Sequence, residues 1–276
     1  MVVRLTVSYR GAAYAGWQRQ DNALAVQEVL ERALARLLAA PVRVVGASRT
    51  DAGVHARGQA AHLEPPEIAA RLPLRGLVHG TNHLLPEDVR VLAAQRMAAG
   101  FHARRSALGK EYCYRLSRAE VLAPLDAPYV VRVPQRIDVA AMRRAAASLV
   151  GHHDFSAFAL AGGAHTRPWR TVTSAAIEEA GEEVRFRVTG DGFLRGMVRG
   201  LVGTLLEVGL GRRSPEEMTA LLGGGGRAAA GATAPAHGLV LERVLYPAQW
   251  QPLAASTSSP DQALPESGPG GGDVVT

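Results

Sequence analysis

Several residue types that mark redox, disulfide-stapled or membrane proteins are nearly missing from this sequence. Its 276 residues include one cysteine, Cys113. That excludes an internal disulfide framework and a zinc site built from several thiolates. No apolar run approaches the roughly 20 residues that a membrane helix requires, and no charged, apolar and small-residue leader opens the chain. A protein of the cytosol, apart from any membrane, is expected. No Gly-Lys-Ser/Thr phosphate loop, Gly-x-Ser-x-Gly elbow or His-Glu-x-x-His pair occurs. His79 and His83 have i, i+4 spacing and His152 and His153 are adjacent, but neither pair has the further ligands a metal needs. No metal site is expected.

What is present is an apolar, arginine-rich body. Hydrophobic residues make up 47%, enough for a full core. Lys110 is the only lysine, so arginine carries nearly all the positive charge. The net charge is +6, and the stretch from Gln251 onward holds three acids and no base, leaving +9 on the rest. A basic, arginine-rich body favours phosphate-bearing partners, and nucleic acid is the class indicated.

Val3, Leu5, Val7 and Tyr9 alternate with polar residues as in a half-buried strand. Asn22 is placed to cap a helix with an apolar stripe of Val26, Val29, Leu30, Ala33, Leu34 and Leu37, ended by Pro41. Val42 to Val45 reads as a strand and Ala60 to Leu63 as another. Short helices are expected at Ile68 to Leu72 and Gly76 to Leu85, then a strand at Val89 to Met97. Lys110 to Leu116 alternates. Asp138 caps a helix running to Val150, and Trp169 to Val188 reads as a hairpin. A helix is expected from Phe193 to about Val208. Ser214-Pro215-Glu216-Glu217 is a capping box that opens another. Leu239 to Tyr246 is the final strand. From Pro252 the composition is that of a disordered, dispensable tail.

Between two of these strands lies Ser48-Arg49-Thr50-Asp51-Ala52-Gly53-Val54-His55-Ala56. A loop held by core strands is a rigid mount for a reactive side chain. Asp-Ala-Gly alone is ordinary turn chemistry. The longer string Arg49 to Ala56 resembles the catalytic loop of the tRNA pseudouridine synthase A family. Further blocks look like that family's, in its order: Gly16-Trp17-Gln18-Arg19-Gln20, Val26-Gln27, Asn82 to Pro86, Phe101 to Arg104, Lys110-Glu111-Tyr112, His153 to Phe158, Phe193-Leu194-Arg195 through Arg199, and Thr233 to Leu239.

The resemblance implies an α+β fold of two pseudo-related halves, 1–104 and 105–250, followed by the tail at 251–276. A mainly antiparallel sheet flanked by helices would meet at a basic active-site cleft. It further implies a cytoplasmic homodimer, with no cofactor and no metal, that isomerises uridine to pseudouridine at positions 38–40 of the tRNA anticodon stem-loop. Asp51 matches the catalytic aspartate, acting as nucleophile, and Arg199 matches an arginine paired with it. Tyr112 matches a ring packed on the target base, and Arg49 a residue that enters the space the extruded base leaves. Gly196 and Gly200 stand where the family usually has His and Asn, which puts in doubt any role for those missing side chains.

Two other readings compete. One is an RNA-binding protein without catalysis that uses the same basic cleft. The other is a nucleotide-dependent enzyme using Gly190-x-Gly192 to Gly196, although that spacing is one residue too long for a dinucleotide fingerprint and no acidic strand end follows. Arg195 and Arg199, four apart, are expected to share a helix face.

Overall fold

The computed structural model describes residues 2–66, 72–133, 136–160, 162, 167–224 and 226–250. The tail at 251–276, and residues 68–71 of the short helix expected at Ile68 to Leu72, lie outside them.

The alternating N-terminus forms β1 (Val2–Tyr9), with Val3, Leu5, Val7 and Tyr9 buried and Arg4, Thr6 and Ser8 half-buried on the other face. Helix α1 (Val26–Leu38) buries Val26, Leu30, Ala33, Leu34 and Leu38. It also buries two polar residues, Gln27 and Glu31. Asn22 is not its cap. The helix follows Ala25, and its first free donors are met by the preceding loop: Val26 N–H donates to the Gly16 carbonyl at 3.1 Å and Gln27 N–H to that of Trp17 at 3.0 Å. Backbone carbonyls thus do the work of a capping side chain. The helix ends at Ala39, which is left-handed at φ 50°, before Pro41 is reached.

The strand expected at Val42 to Val45 shrinks to β2 (Val45–Gly46). The reason is local. Val44 N–H donates to Glu31 Oε1 at 2.9 Å and its carbonyl accepts from Gln27 Nε2 at 2.8 Å, so helix side chains take the groups a neighbouring strand would need. Then come β3 (His55–Leu63), α2 (Leu74–Leu84) and β4 (Val89–Met97). Beyond them lie β5 (Gly109–Ser117), the short β6 (Val131–Arg132) and α3 (Val139–Ala147). Asp138 caps α3, accepting from Ala141 N–H at 2.9 Å. The short β7 (Gly151–Asp154) precedes the hairpin of β8 (Trp169–Ala180) and β9 (Glu183–Gly190). Helix α4 (Met197–Gly209), helix α5 (Pro215–Ala220) with its full capping box, and β10 (Leu239–Leu245) complete the fold.

The sheet runs β4-β1-β3-β10-β5-β9-β8-β7, with β2 on β3 and β6 on β5. Its pairs are antiparallel except β10 on β3 and β6 on β5. The β3–β10 seam, with Val240 opposite His55 and Leu241 opposite Ala56, joins the strands of the first hundred residues to the rest. Helix α2 packs on β4 and α1, while α3 packs on β8, α4 and α5. One apolar core passes beneath all of them, including the fully buried Leu5, Leu30, Leu34, Tyr114, Phe158 and Leu205. Each such side chain is worth roughly 1.5–3 kcal/mol of burial. The result is the expected α+β architecture with a mostly antiparallel sheet flanked by helices. Among the described residues no helix is long and apolar enough to cross a membrane.

Candidate active site

The loop between β2 and β3 is fastened on both flanks. Ala47 N–H donates to the Ala60 carbonyl at 2.8 Å. Gln59, fully buried, clamps Ser48 twice, taking its N–H at 3.2 Å and donating Nε2 to its carbonyl at 2.7 Å. Thr50 shares a 2.8 Å hydrogen bond with the Tyr9 hydroxyl, and its carbonyl accepts from Trp17 N–H at 3.1 Å. Gly53 N–H donates to the Tyr14 carbonyl at 3.3 Å and Val54 N–H to that of Asp51 at 3.2 Å. Past the loop, His55 Nδ1 accepts from Gly11 N–H at 3.0 Å, and burial holds this imidazole's pKa below its usual value. Behind the loop the Gln27–Glu31 pair braces the chain that caps α1, with Gln27 Oε1 accepting from Gln18 Nε2 at 2.6 Å and Arg19 N–H at 2.9 Å. Asp51 therefore projects from a backbone tied to three other segments.

Across from it stands Arg199, in the first turn of α4. Its Nη1 lies 3.6 Å from Asp51 Oδ2, and both side chains are about one-fifth exposed, at 18% and 22%. Arg199 Nε donates to the Ala234 carbonyl at 2.7 Å, and Ala234 N–H returns a bond to the Arg199 carbonyl at 3.1 Å. This double tie fixes the direction of the guanidinium.

The helix that carries Arg199 starts four residues later than its apolar pattern indicates. Gly196 is left-handed, at φ 70°, and a Cβ there would fall 2.4 Å from Leu160 Cγ. That reversal puts Arg195 outside α4, where its carbonyl accepts from Leu160 N–H at 2.8 Å. Arg195 and Arg199 consequently do not share a helix face. At Gly200 a Cβ would meet the Phe158 carbonyl oxygen at 2.7 Å. Both glycines that depart from the family pattern are thus required by backbone geometry in this chain. The Gly190 to Gly196 segment runs from antiparallel β9, and Asp191 Oδ1 accepts from Thr171 N–H at 3.1 Å. It lacks the parallel strand–helix crossover on which a dinucleotide site depends.

Tyr112, on β5, closes the third side. It is 5% exposed, its hydroxyl lies 2.9 Å from Ser48 Oγ, and its ring meets Phe193 edge-on at 5.2 Å. Burial pushes the phenol up to about 12, the Ser48 hydrogen bond opposes that, and the nearby Asp51 charge adds to it. The phenol stays protonated across the physiological range. Lys110 Nζ donates to the Asp191 carbonyl at 3.0 Å, and burial and the Arg104 charge lower its pKa. Arg49 is exposed on the same loop as Asp51. Asp51, Arg199 and Tyr112 thus gather at one place, while Arg49 is exposed two residues before Asp51. Ser48, Gln59, Tyr9 and Phe193 join them without having been singled out from sequence. Gln59 carried no signal of its own, since β3 also holds the polar residues His55, Arg57 and His62. Among the described residues no cluster of three or more His, Cys, Asp or Glu could hold a metal.

A family profile described as tRNA pseudouridine synthase matches residues 145–247. The tRNA pseudouridine synthase A of Syntrophotalea carbinolica is 48% identical over 248 residues, covering 90% of this chain and 97% of its own. The chain belongs to the tRNA pseudouridine synthase A family. The Myxococcus xanthus member is 46% identical, covering 88% of this chain and 91% of its own. The Geobacter sulfurreducens member is 44% identical, covering 88% and 99%. As a pseudouridine synthase the protein is an isomerase that converts uridine to pseudouridine. Among solved structures, one titled "Crystal Structure of a Cbf5-Nop10-Gar1 Complex" aligns over 87% of this chain and 48% of its own. The identity there is 15% and the TM-score 0.35, a likeness too loose to carry an argument.

Proposed function

We propose that this synthase acts on uridines 38–40 of the tRNA anticodon stem-loop with Asp51 as its nucleophile. The observation that carries the reading is the Asp51–Arg199 pair, 3.6 Å apart and sheltered. Asp51 comes from 1–104, while Arg199 and Tyr112 come from 105–250. We read those two stretches as the walls of the cleft.

The reaction breaks the bond from ribose C1′ to uracil N1 and makes one from C1′ to C5. N1 gains a proton and C5 loses one, so nothing is oxidised and the formula is unchanged. A carboxylate acting on the ribose or on the ring must be anionic to do so and must be released at the end. Arg199 supplies the compensating cation. The uridine must first leave its stack, at a cost of a few kcal/mol. Arg49, exposed two residues before Asp51, enters the space left behind in this reading. Tyr112 and Phe193 offer apolar ring surface to hold the free base. The surplus of arginine grips tRNA phosphates, and the working form is a cytoplasmic homodimer.

The test uses purified protein, unmodified tRNA transcript and no added nucleotide or metal. Pseudouridine is mapped by position, with Asp51→Asn in parallel. Product at 38–40 from the wild type alone supports the reading. Product at other positions overturns the site assignment, and full activity in Asp51→Asn overturns the role of the carboxylate. Sedimentation of the full chain tests the dimer.

A further inference from the structure

The Arg199 guanidinium is aimed by a segment with no regular structure of its own. Residues 231–235 lie in neither helix nor strand. They run so close along α4 that a Cβ at Gly203 would strike the Ala232 carbonyl oxygen. Within this strap the Ala234 carbonyl accepts from Arg199 Nε at 2.7 Å, and Ala234 N–H donates to the Arg199 carbonyl at 3.1 Å. A strap outside the sheet has no ladder to hold it, so its place depends on individual bonds from its main-chain groups. Beyond Pro235 it meets the Asp51 loop itself, where a Cβ at Gly53 would lie 3.1 Å from Ala236 Cβ. The same strap therefore touches the arginine and the loop that carries the carboxylate.

Two fully buried hydroxyls pin it, one on each side of Ala234. Upstream, Gly231 N–H donates to Thr204 Oγ1 at 3.0 Å, while that hydroxyl donates its own proton to the Gly200 carbonyl at 2.9 Å. Downstream, the Tyr114 hydroxyl donates from β5 to the Pro235 carbonyl at 2.7 Å. Valine and phenylalanine would fill the same two spaces without a polar atom to satisfy, so packing alone does not account for the hydroxyls. We propose that Thr204 and Tyr114 are positioning residues for the isomerisation, holding the strap so that the Ala234 carbonyl keeps the Arg199 guanidinium against Asp51. This rests on the Asp51–Arg199 pair carrying the reaction.

The arrangement predicts a pattern that ordinary structural damage does not produce. Thr204→Val and Tyr114→Phe each remove one oxygen at nearly constant shape, and each should lower kcat by about fivefold with KM within about twofold, the split expected when an interaction of the reacting group is weakened. Thr204→Ser keeps the hydroxyl and should recover most of the rate. The deciding measurement repeats both changes in an Arg199→Met background, where there is no guanidinium left to aim. There neither should slow the reaction further, although each should still lower the melting temperature, because a buried main-chain group has lost its partner. Single-turnover rates on the tRNA transcript, with melting temperatures of every variant, provide the comparison. If Thr204→Val is unfolded at the assay temperature, Tyr114→Phe decides alone. A further fivefold loss in the Arg199→Met background overturns the proposal, as does a wild-type kcat in both single variants. Arg199→Met by itself separates the two levels. If it is slow while Thr204→Val and Tyr114→Phe are normal, this inference fails and the pair stands; if it turns over at the wild-type rate, the role of the pair itself fails.

Discussion

Replacing Arg199 with methionine should slow isomerisation by about 30-fold while leaving tRNA affinity nearly unchanged. The size follows from the pair's geometry. At 3.6 Å two unit charges attract by roughly 4 kcal/mol at an effective dielectric near 20. Both side chains are about one-fifth exposed, so screening leaves on the order of half of that. A loss of about 2 kcal/mol from the barrier-lowering side is about 30-fold in rate. Methionine keeps the unbranched, apolar stem, so the packing of α4 on Phe158 should survive. The lost Nε bond to the Ala234 carbonyl should show separately, as a fall in melting temperature. Arg199→Lys divides the two effects: it keeps the cation and gives up the forked geometry, so it should recover part of the rate. Single-turnover kinetics at saturating enzyme give the chemical step, and filter binding gives affinity. A methionine variant within twofold of the wild-type rate would refute the argument that this cation sustains the carboxylate.

Three more outcomes are expected. Tyr112→Phe should stay within about tenfold of wild type because the ring does the packing, whereas Tyr112→Ala, which empties a buried site, should lose far more and also cost about 3–5 kcal/mol of stability; a dead Phe variant with normal folding would show that the hydroxyl takes part in the chemistry. Glu183 accepts paired hydrogen bonds from both Arg115 and Arg185, which hold its carboxyl down at about 2; because the folded value lies below the unfolded one, its stabilisation is complete above about pH 4.5 and disappears as pH falls through 2, so a Glu183→Gln gap of about 2 kcal/mol in urea titrations at pH 6 should close near pH 2, and a gap that stays constant would refute the linkage. Binding of tRNA should weaken steeply with salt, with log K linear in log salt, because arginine–phosphate contacts release counterions; a flat dependence would mean that the basic surface does not meet the RNA backbone.

The parts of this fold that were legible beforehand are those where one local rule decides the outcome. Alternation located β1, and β4 ends where its pattern ends, at Val89 and Met97. Asp138 and Ser214 cap because a side-chain oxygen at that position has little else to do. The parts that stayed hidden depend on a partner far along the chain. Nothing near Asn22 says that Gly16 and Trp17 carbonyls will start α1 at Val26 instead. Nothing near Phe193 says that Leu160 will leave no room for a side chain at 196 and so delay α4 past Arg195. The two-residue strands β2 and β6 are too short for any periodicity to show. At the site, Asp51 and Tyr112 stood out through the strings that contain them. Ser48 and Gln59 did not, because a serine in a loop and a glutamine in a strand both read as solvent-facing until the sheet is assembled.

That hidden layer explains why so much polar chemistry lies inside this protein. Gln27, Glu31, Thr50, His55 and Gln59 are all buried, and burying such groups stabilises a fold only when their hydrogen bonds are made. Four of them are spent on the backbone of the Asp51 loop or of the segments beside it, Gln59 on Ser48, His55 on Gly11, Gln27 and Glu31 on Val44, while the Thr50 side chain bonds the Tyr9 hydroxyl. An apolar core would have served stability as well, but it could not have fixed the direction of main-chain groups in a loop. A carboxylate that must meet a reacting base needs its mount held to within a fraction of an ångström, and only directional bonds do that. Gln59→Leu, which fits the same space without the two Ser48 bonds, should therefore leave the sheet folded and depress the chemical step more than it depresses melting temperature. Equal or greater damage to stability would place Gln59 with the core and remove it from the mount.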